Sequence, residues 1–135
     1  MALGLGSSDE NTTNLHVKGP SDVLQTLLVF QPGAGTGWHT HPGPVVVVVK
    51  VALTETHSNG CVTVHPAGSA FFQMKDEVHN TVNQTSGVIE VYATFLSPAG
   101  AQPLVRHPTR GTHRSSRTIW IVSSRRSLTS LSTQA

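Results

Sequence analysis

The stretch FQPGAGTGWHTHPGP, residues 30–44, contains the sequence His-x-His. It places His39 and His41 two positions apart, between turns rich in glycine and proline. Residues i and i+2 of an extended strand project to the same face, so the two imidazoles are expected to lie side by side. Imidazole is a ligand that suits Zn, Cu, Fe and Ni. A pair of hydrogen-bonded or surface histidines gives the same pattern, so the pair alone is weak evidence for a metal site.

The segments that flank this stretch have the composition of β-strands. Residues 22–31 (DVLQTLLVFQ) and 88–97 (VIEVYATFLS) are rich in aliphatic and β-branched side chains. Residues 44–55 (PVVVVVKVALTE) include five consecutive valines, which fit no helical period and favour a strand covered on both faces. Asn59-Gly60 predicts a hairpin with positive φ at both central positions. Turns recur at intervals of roughly ten residues, which is typical of an antiparallel β-barrel or sandwich.

The distribution of charge divides the chain into a body and a tail. Residues 1–100 contain three lysines and seven acidic residues, a net charge of −4, whereas residues 101–135 contain six arginines and no acid. We therefore expect a flexible segment over 1–19, a β-barrel domain over 20–100 and an Arg/Ser-rich tail over 101–135 that is disordered or packs poorly. The tail has two alternatives: an arm that contacts phosphates, or a sequence never selected to fold with this body. Its scarcity of aromatic residues beyond Trp120 argues against nucleic-acid binding.

Cysteine content and hydropathy limit the cellular compartments in which the protein is expected. Cys61 is the single cysteine, so an intramolecular disulfide is excluded. The first residues, MALGLGSSDENTTN, have no basic region and no apolar stretch of the length that a signal peptide needs. The apolar runs are too short to span a bilayer. We therefore expect a cytoplasmic protein that does not associate with membranes.

A second stretch, residues 68–83, reads GSAFFQMKDEVHNTVN and adds a third histidine, His79, with Asn83 four positions later. Residues i and i+4 of a strand also share a face. A strand over 79–83 that lies beside the His-x-His strand inside a barrel would bring all three imidazoles together.

The two stretches resemble the two motifs of the cupins, and the chain is similar to the small single-domain bacterial cupins of the RmlC-like superfamily, cupin type-2. Gly33, His39 and His41 match the first motif, Gly-x5-His-x-His, while Gly68, His79 and Asn83 match the second. The resemblance covers residues 20–98. It implies an all-β antiparallel barrel of jelly-roll type and one metal ion held by the three histidines. We also expect a homodimer whose pairing covers the sheet edges.

The chain departs from the family pattern in both motifs. The glutamate that follows the second histidine in the family falls at Val45 or Val46, so this carboxylate is absent. Met74 replaces a proline and Asp76 replaces a glycine of the second motif. Three neutral histidines would leave a divalent ion its full charge and open positions, an arrangement similar to three-histidine dioxygenases. The expected ion is a divalent transition metal: Fe, Zn, Mn, Ni or Cu.

These observations leave three functions open. The chain could be a metal-dependent oxygenase or isomerase that acts on a small organic molecule, a non-catalytic module that binds a metal or a small ligand, or a cupin remnant without activity. The sequence assigns no catalytic residue. Candidates for supporting the site or contacting a ligand are Asn83, Gln73 and Trp38.

Overall fold

The computed structural model describes residues 18–107 and 119–128, and all regular structure within these ranges is β. The strands are β1 Ser21–Phe30, β2 His39–Thr40, β3 Val45–Val49, β4 Leu53–His57, β5 Val62–His65, β6 Ala70–Gln73, β7 His79–Val82, β8 Ile89–Pro98, β9 Val105–Arg106 and β10 Ile119–Leu128. Over these ranges the chain contains no helix with the length and hydropathy that a membrane crossing requires.

The strands form two five-stranded antiparallel sheets. The first has the order β10-β1-β8-β3-β6 and the second the order β5-β4-β7-β2-β9. The chain changes sheet at nearly every connection, as it does in a jelly roll. The predicted all-β antiparallel barrel is therefore confirmed.

The core lies between the inner faces of the two sheets. Alternation along β3 buries Val45, Val47 and Val49 and leaves Val46 and Val48 half-buried. The same alternation along β8 buries four apolar side chains: Ile89, Val91, Ala93 and Phe95. The expectation that both faces of the valine run are covered is wrong for the described residues, since only the inner face is fully buried.

The run 44–55, expected as one strand, is divided between the two sheets. β3 ends at Val49, and β4 begins at Leu53 on the opposite wall of the barrel. The crossing turns Leu53 and Glu55 toward the interior, where both are buried. A charged residue of this run therefore faces the core.

The hairpin between β4 and β5 forms at the predicted Asn59-Gly60, but its geometry differs from the expected one. Gly60 has a φ of +86°, whereas Asn59 keeps a negative φ. The Asn59 side chain contributes instead through Oδ1, which accepts a hydrogen bond of 2.9 Å from the backbone N–H of Cys61. An Asx-type contact of this kind stabilises a turn without the left-handed conformation.

Part of the C-terminal segment takes part in the sheets. β9 pairs with β2, and β10 pairs with β1 from Phe30↔Ile119 to Ser21↔Leu128. Ile119 packs against the hydrophobic core. For residues 120–128 only the backbone is described, and residues 1–17, 108–118 and 129–135 lie outside the described ranges. Poor packing of the rest of the tail and flexibility of segment 1–19 stay predictions.

Candidate metal centre

The structure brings His39, His41 and His79 together inside the barrel. His39 on β2 is paired with His79 on β7, and His41 follows β2 on the same face as His39. All three side chains are buried, with exposed fractions of 2%, 3% and 0%. One ligand nitrogen from each ring lies within 4.8 Å of the other two. The convergence expected from the two motifs is therefore present.

Backbone carbonyls fix the orientation of the three rings. The Nδ1–H of His39 donates to Gly37 O at 2.8 Å, that of His41 to Pro103 O at 2.8 Å, and that of His79 to Glu77 O at 2.9 Å. A carbonyl oxygen only accepts, so each Nδ1 carries the proton and each Nε2 keeps a free lone pair. This is the arrangement in which an outer hydrogen bond orients a metal-ligating histidine.

Two of these Nε2 atoms are buried polar atoms without a partner. Among the described residues, the Nε2 atoms of His41 and His79 are the buried side-chain nitrogens or oxygens that have no hydrogen bond. Buried polar atoms are normally hydrogen-bonded, because losing water without replacement is costly. Several converging lone pairs without a proton donor fit a metal cation.

Burial keeps the three imidazoles neutral. It is the largest influence that lowers the pKa of His39 to about 3, and the neighbouring His79 and His41 act in the same direction. Burial is also the largest influence that lowers the pKa of His41 and of His79. The charge of Glu55 acts in the opposite direction on His79, but it does not outweigh burial. The rings are therefore in the form that a metal ion requires at neutral pH.

The segment after β8 forms one side of the centre. Pro103 accepts the hydrogen bond of His41, and Arg106 Nη1 donates to Thr36 O at 3.0 Å. The Thr40 hydroxyl and His107 Nε2 are hydrogen-bonded at 3.2 Å. Residues 103–107 thus contact the site, although composition grouped them with the tail. No sequence pattern indicates the contact of Pro103 with His41, because Pro103 makes it with a backbone atom.

Of the three residues predicted to support the site or contact a ligand, one lines the pocket beside the histidines and two do not. Gln73 is buried and lines the pocket beside the histidines. Asn83 is buried, but its Nδ2 donates to the carbonyls of Phe30 and Gly87, so it supports a loop. Trp38 is half-buried and its carbonyl accepts a hydrogen bond from His107 N at 3.0 Å. It is not among the residues found on the pocket wall.

Sequence reasoning missed Glu55, a buried carboxylate near the centre. Its Oε1 accepts a hydrogen bond of 2.8 Å from Gln73 Nε2, and its Oε2 accepts one of 3.0 Å from His65 Nε2. His57 Nε2 lies 3.7 Å from the same Oε2. His57 and His65, which flank the Asn59-Gly60 hairpin, therefore both lie against this carboxylate. The sequence does contain a signal for this position: side chains alternate along a strand, so Glu55 shares the inward face of the apolar Leu53.

A pocket opens from the histidines toward the first sheet. It encloses about 380 Å³, including its open mouth. Its polar wall consists of Thr36, His39, His41, Gln73 and Thr81. The remainder of the wall is apolar: Leu28, Phe30, Val47, Leu53, Val91, Ala93 and Leu104.

Comparison with known proteins identifies the fold. No protein-family model matches the chain. No curated protein matches it either. A solved protein with a double-stranded beta-helix domain from Klebsiella pneumoniae aligns with a TM-score of 0.55 and 19% identity, over 76% of this chain and 84% of that chain. A cupin domain from Bordetella pertussis aligns with a TM-score of 0.50 and 22% identity, over 64% of this chain and 90% of that chain.

A third similar structure comes from work on two DMSP lyases. It aligns with a TM-score of 0.52 and 17% identity, and the alignment covers 63% of this chain but 44% of that chain. Together these likenesses show that the chain has the cupin fold. Within that fold, the chain has a buried three-histidine cluster and a valine where the motif that it resembles has a carboxylate.

Proposed function

We propose that this cupin binds one divalent transition-metal ion through the Nε2 atoms of His39, His41 and His79. The observation that carries the proposal is the pair of buried, unpartnered Nε2 atoms of His41 and His79. Their protons are held on Nδ1 by backbone carbonyls, so the lone pairs are available without a change of tautomer. Three imidazoles suit Fe, Zn, Ni and Cu, and Mn is a further candidate.

The same site has room for a small ligand next to the ion. His39 and His41 line the pocket, so a bound molecule would meet the ion from the side of the first sheet. When bound, a metal ion with open positions polarises an oxygen group or activates O₂. The apolar wall selects a molecule with a small apolar body, and the histidines direct its oxygen end inward. We propose an oxygenase or isomerase acting on such a molecule, for example a small organic acid or a diketone.

A non-catalytic binding module is the second candidate. The described pocket wall contains no ionisable side chain apart from the histidines, so no acid or base stands ready beside a ligand. This observation favours simple binding of a ligand or a metal. The intact histidine cluster argues against a remnant without any site. A homodimer and a cytoplasmic location remain part of the proposal.

Metal analysis of protein purified without a histidine tag tests the metal site. We expect close to one equivalent of a transition metal per chain, and protein that neither retains nor takes up metal would overturn the proposal. Oxygen consumption by iron-loaded protein against small acids and diketones then distinguishes the candidates. Turnover supports the enzyme, whereas saturable ligand binding without turnover supports the binding module.

A further inference from the structure

The position of the missing carboxylate is occupied by a valine that faces the interior. Of the two residues that match the family glutamate, Val45 points inward with an exposed fraction of 1%, whereas Val46 lies on the outer face. Only a side chain at position 45 would reach the histidines. Replacing a glutamate with valine leaves space on the inner face of β3.

Gln73 is the direct cross-strand neighbour of Val45. The two residues are paired in the register of β3 and β6. Directly opposite residues of an antiparallel pair share a face, with Cβ atoms about 4.5–5.5 Å apart. Gln73 has an exposed fraction of 6% and lines the pocket together with His39 and His41. Its side chain therefore enters the space that a carboxylate on β3 would use.

Glu55 fixes which end of the Gln73 amide faces the histidines. Gln73 Nε2 donates to Glu55 Oε1 at 2.8 Å, which turns the amide nitrogen toward β4. Because Glu55 holds the nitrogen, Oε1 is the end of the amide left to face the pocket that His39 and His41 also line.

Gln73 Oε1 and His41 Nε2 are two acceptors on the same side of the site. The proton of His41 is on Nδ1, where it is donated to Pro103 O. His41 Nε2 is therefore a lone pair without a hydrogen-bond partner. Two neighbouring lone pairs repel each other unless a cation or a proton donor lies between them. The His79 Nε2 lone pair adds to the same excess of acceptors.

We propose that the amide oxygen of Gln73 is a fourth protein ligand of the metal ion, supplied by β6 in place of the carboxylate that β3 lacks. This inference rests on the proposed three-histidine site and adds an oxygen donor to its three nitrogens. Glu55 then acts behind the ligand. The hydrogen bond from the amide nitrogen to its carboxylate draws negative charge toward Oε1, as a carboxylate does for a ligating histidine.

The supporting contacts continue beyond Glu55. His65 Nε2 donates to Glu55 Oε2 at 3.0 Å, and the His65 ring stacks on Phe71 with 3.4 Å between centroids. Phe71 lies on β6, two positions before Gln73. Among the described strands, β5 and β6 each lie at an edge of their sheet, and the stacking of His65 on Phe71 joins these two edges beside the carboxylate. A carboxylate held this way balances part of the charge of the ion without touching it.

Cobalt binding to Gln73 variants tests the proposal. For Gln73→Leu we expect Co²⁺ affinity to fall by more than about tenfold, the lower end of the cost of disturbing the surroundings of a metal ligand. The visible ligand-field bands should also shift, because the coordination changes. Gln25→Leu is the matched control, since Gln25 is exposed on β1 and should leave affinity and spectrum unchanged. Calorimetry and absorption spectroscopy give the two readouts.

The double variant Glu55→Gln/Gln73→Glu separates a ligand from a packing role. It keeps an oxygen at position 73 and reverses the hydrogen bond, since the amide at position 55 now donates to the carboxylate. We expect it to bind Co²⁺ at least as tightly as the parent protein. If Gln73→Leu fails to fold, the double variant still tests whether residue 73 is a metal ligand. Weak binding by a folded double variant would overturn the proposal.

The remaining outcomes are also distinct. A parent protein that binds no Co²⁺ overturns the proposed three-histidine site itself. A parent that binds Co²⁺, with Gln73→Leu unchanged in affinity or in spectrum, overturns the fourth ligand and leaves the histidine site intact.

Discussion

His57 and His79 lie opposite each other on β4 and β7, and Glu77 holds both with different atoms. Its backbone carbonyl accepts the Nδ1–H of His79 at 2.9 Å, while its carboxylate Oε1 accepts the Nδ1–H of His57 at 2.8 Å. Glu77 therefore links the two histidines through its side chain and its backbone. The neighbouring histidines have different roles, because His79 belongs to the buried cluster and His57 is tied to carboxylates.

Alanine variants of these two histidines should separate the roles. His79→Ala removes one of three ligands and should lose most of the bound metal, whereas His57→Ala should keep the stoichiometry of the parent protein. Elemental analysis after dialysis measures both. Equal loss of metal in the two variants would contradict the assignment of the ligands.

The stability of the metal-free protein should fall in acid. The pKa of His39 is about 3 in the fold and 6.5 as an unperturbed group, so the unfolded chain binds more protons between these values. Stability is therefore complete above about pH 6.5 and falls as the pH drops toward 3, by about 1.4 kcal/mol per pH unit for one such histidine. Urea unfolding from pH 8 to pH 4 measures the slope. His39→Asn should reduce the slope, and an unchanged slope would contradict burial of a neutral ring.

Gly43 should tolerate no side chain. A Cβ built at this position meets the backbone oxygen of Leu96 at 1.8 Å, and backbone atoms do not move aside cheaply. Gly43→Ala should cost about 1–3 kcal/mol or more in the free energy of unfolding, as overpacking does. Gly87→Ala is the control, since nothing lies within 4 Å of its built Cβ. Similar unfolding midpoints for the two variants would contradict the close approach of Gly43 to the backbone of Leu96.

Asp76 should be sensitive to the shape of its side chain. It has a φ of 61°, in the left-handed region, at a position where the second cupin motif has glycine. Its N–H donates to His41 O at 2.9 Å, which links the turn to a ligand. Asp76→Val should be less stable than Asp76→Gly by about 1–2 kcal/mol, because a β-branched residue is strained there. Thermal unfolding measures the difference, and equal stability would contradict the turn geometry.

The fold and the histidine cluster were predictable because they follow from local patterns. In the structure, His39, His41 and His79 form one cluster, and turns separate the strands as the sequence predicts. Alternation with Leu53 predicts the inward position of Glu55, but its hydrogen bond to Gln73 was not predictable by the same means, since Gln73 lies on the other sheet. The contact of His41 with Pro103 depends on a carbonyl that every residue has. The division of the valine run likewise depends on pairing with distant strands rather than on its composition.

The brevity of β2 has a consequence for the exchange of backbone amide protons. This strand is two residues long and pairs with β7 at one position and with β9 at two, yet it carries His39 and leads into His41. Few backbone hydrogen bonds hold it, and such segments open at a low free energy. An ion shared with His79 would join this segment to β7. Amide exchange at residues 39–41 should then slow when metal binds, while exchange in the long pair β1–β8 stays the same.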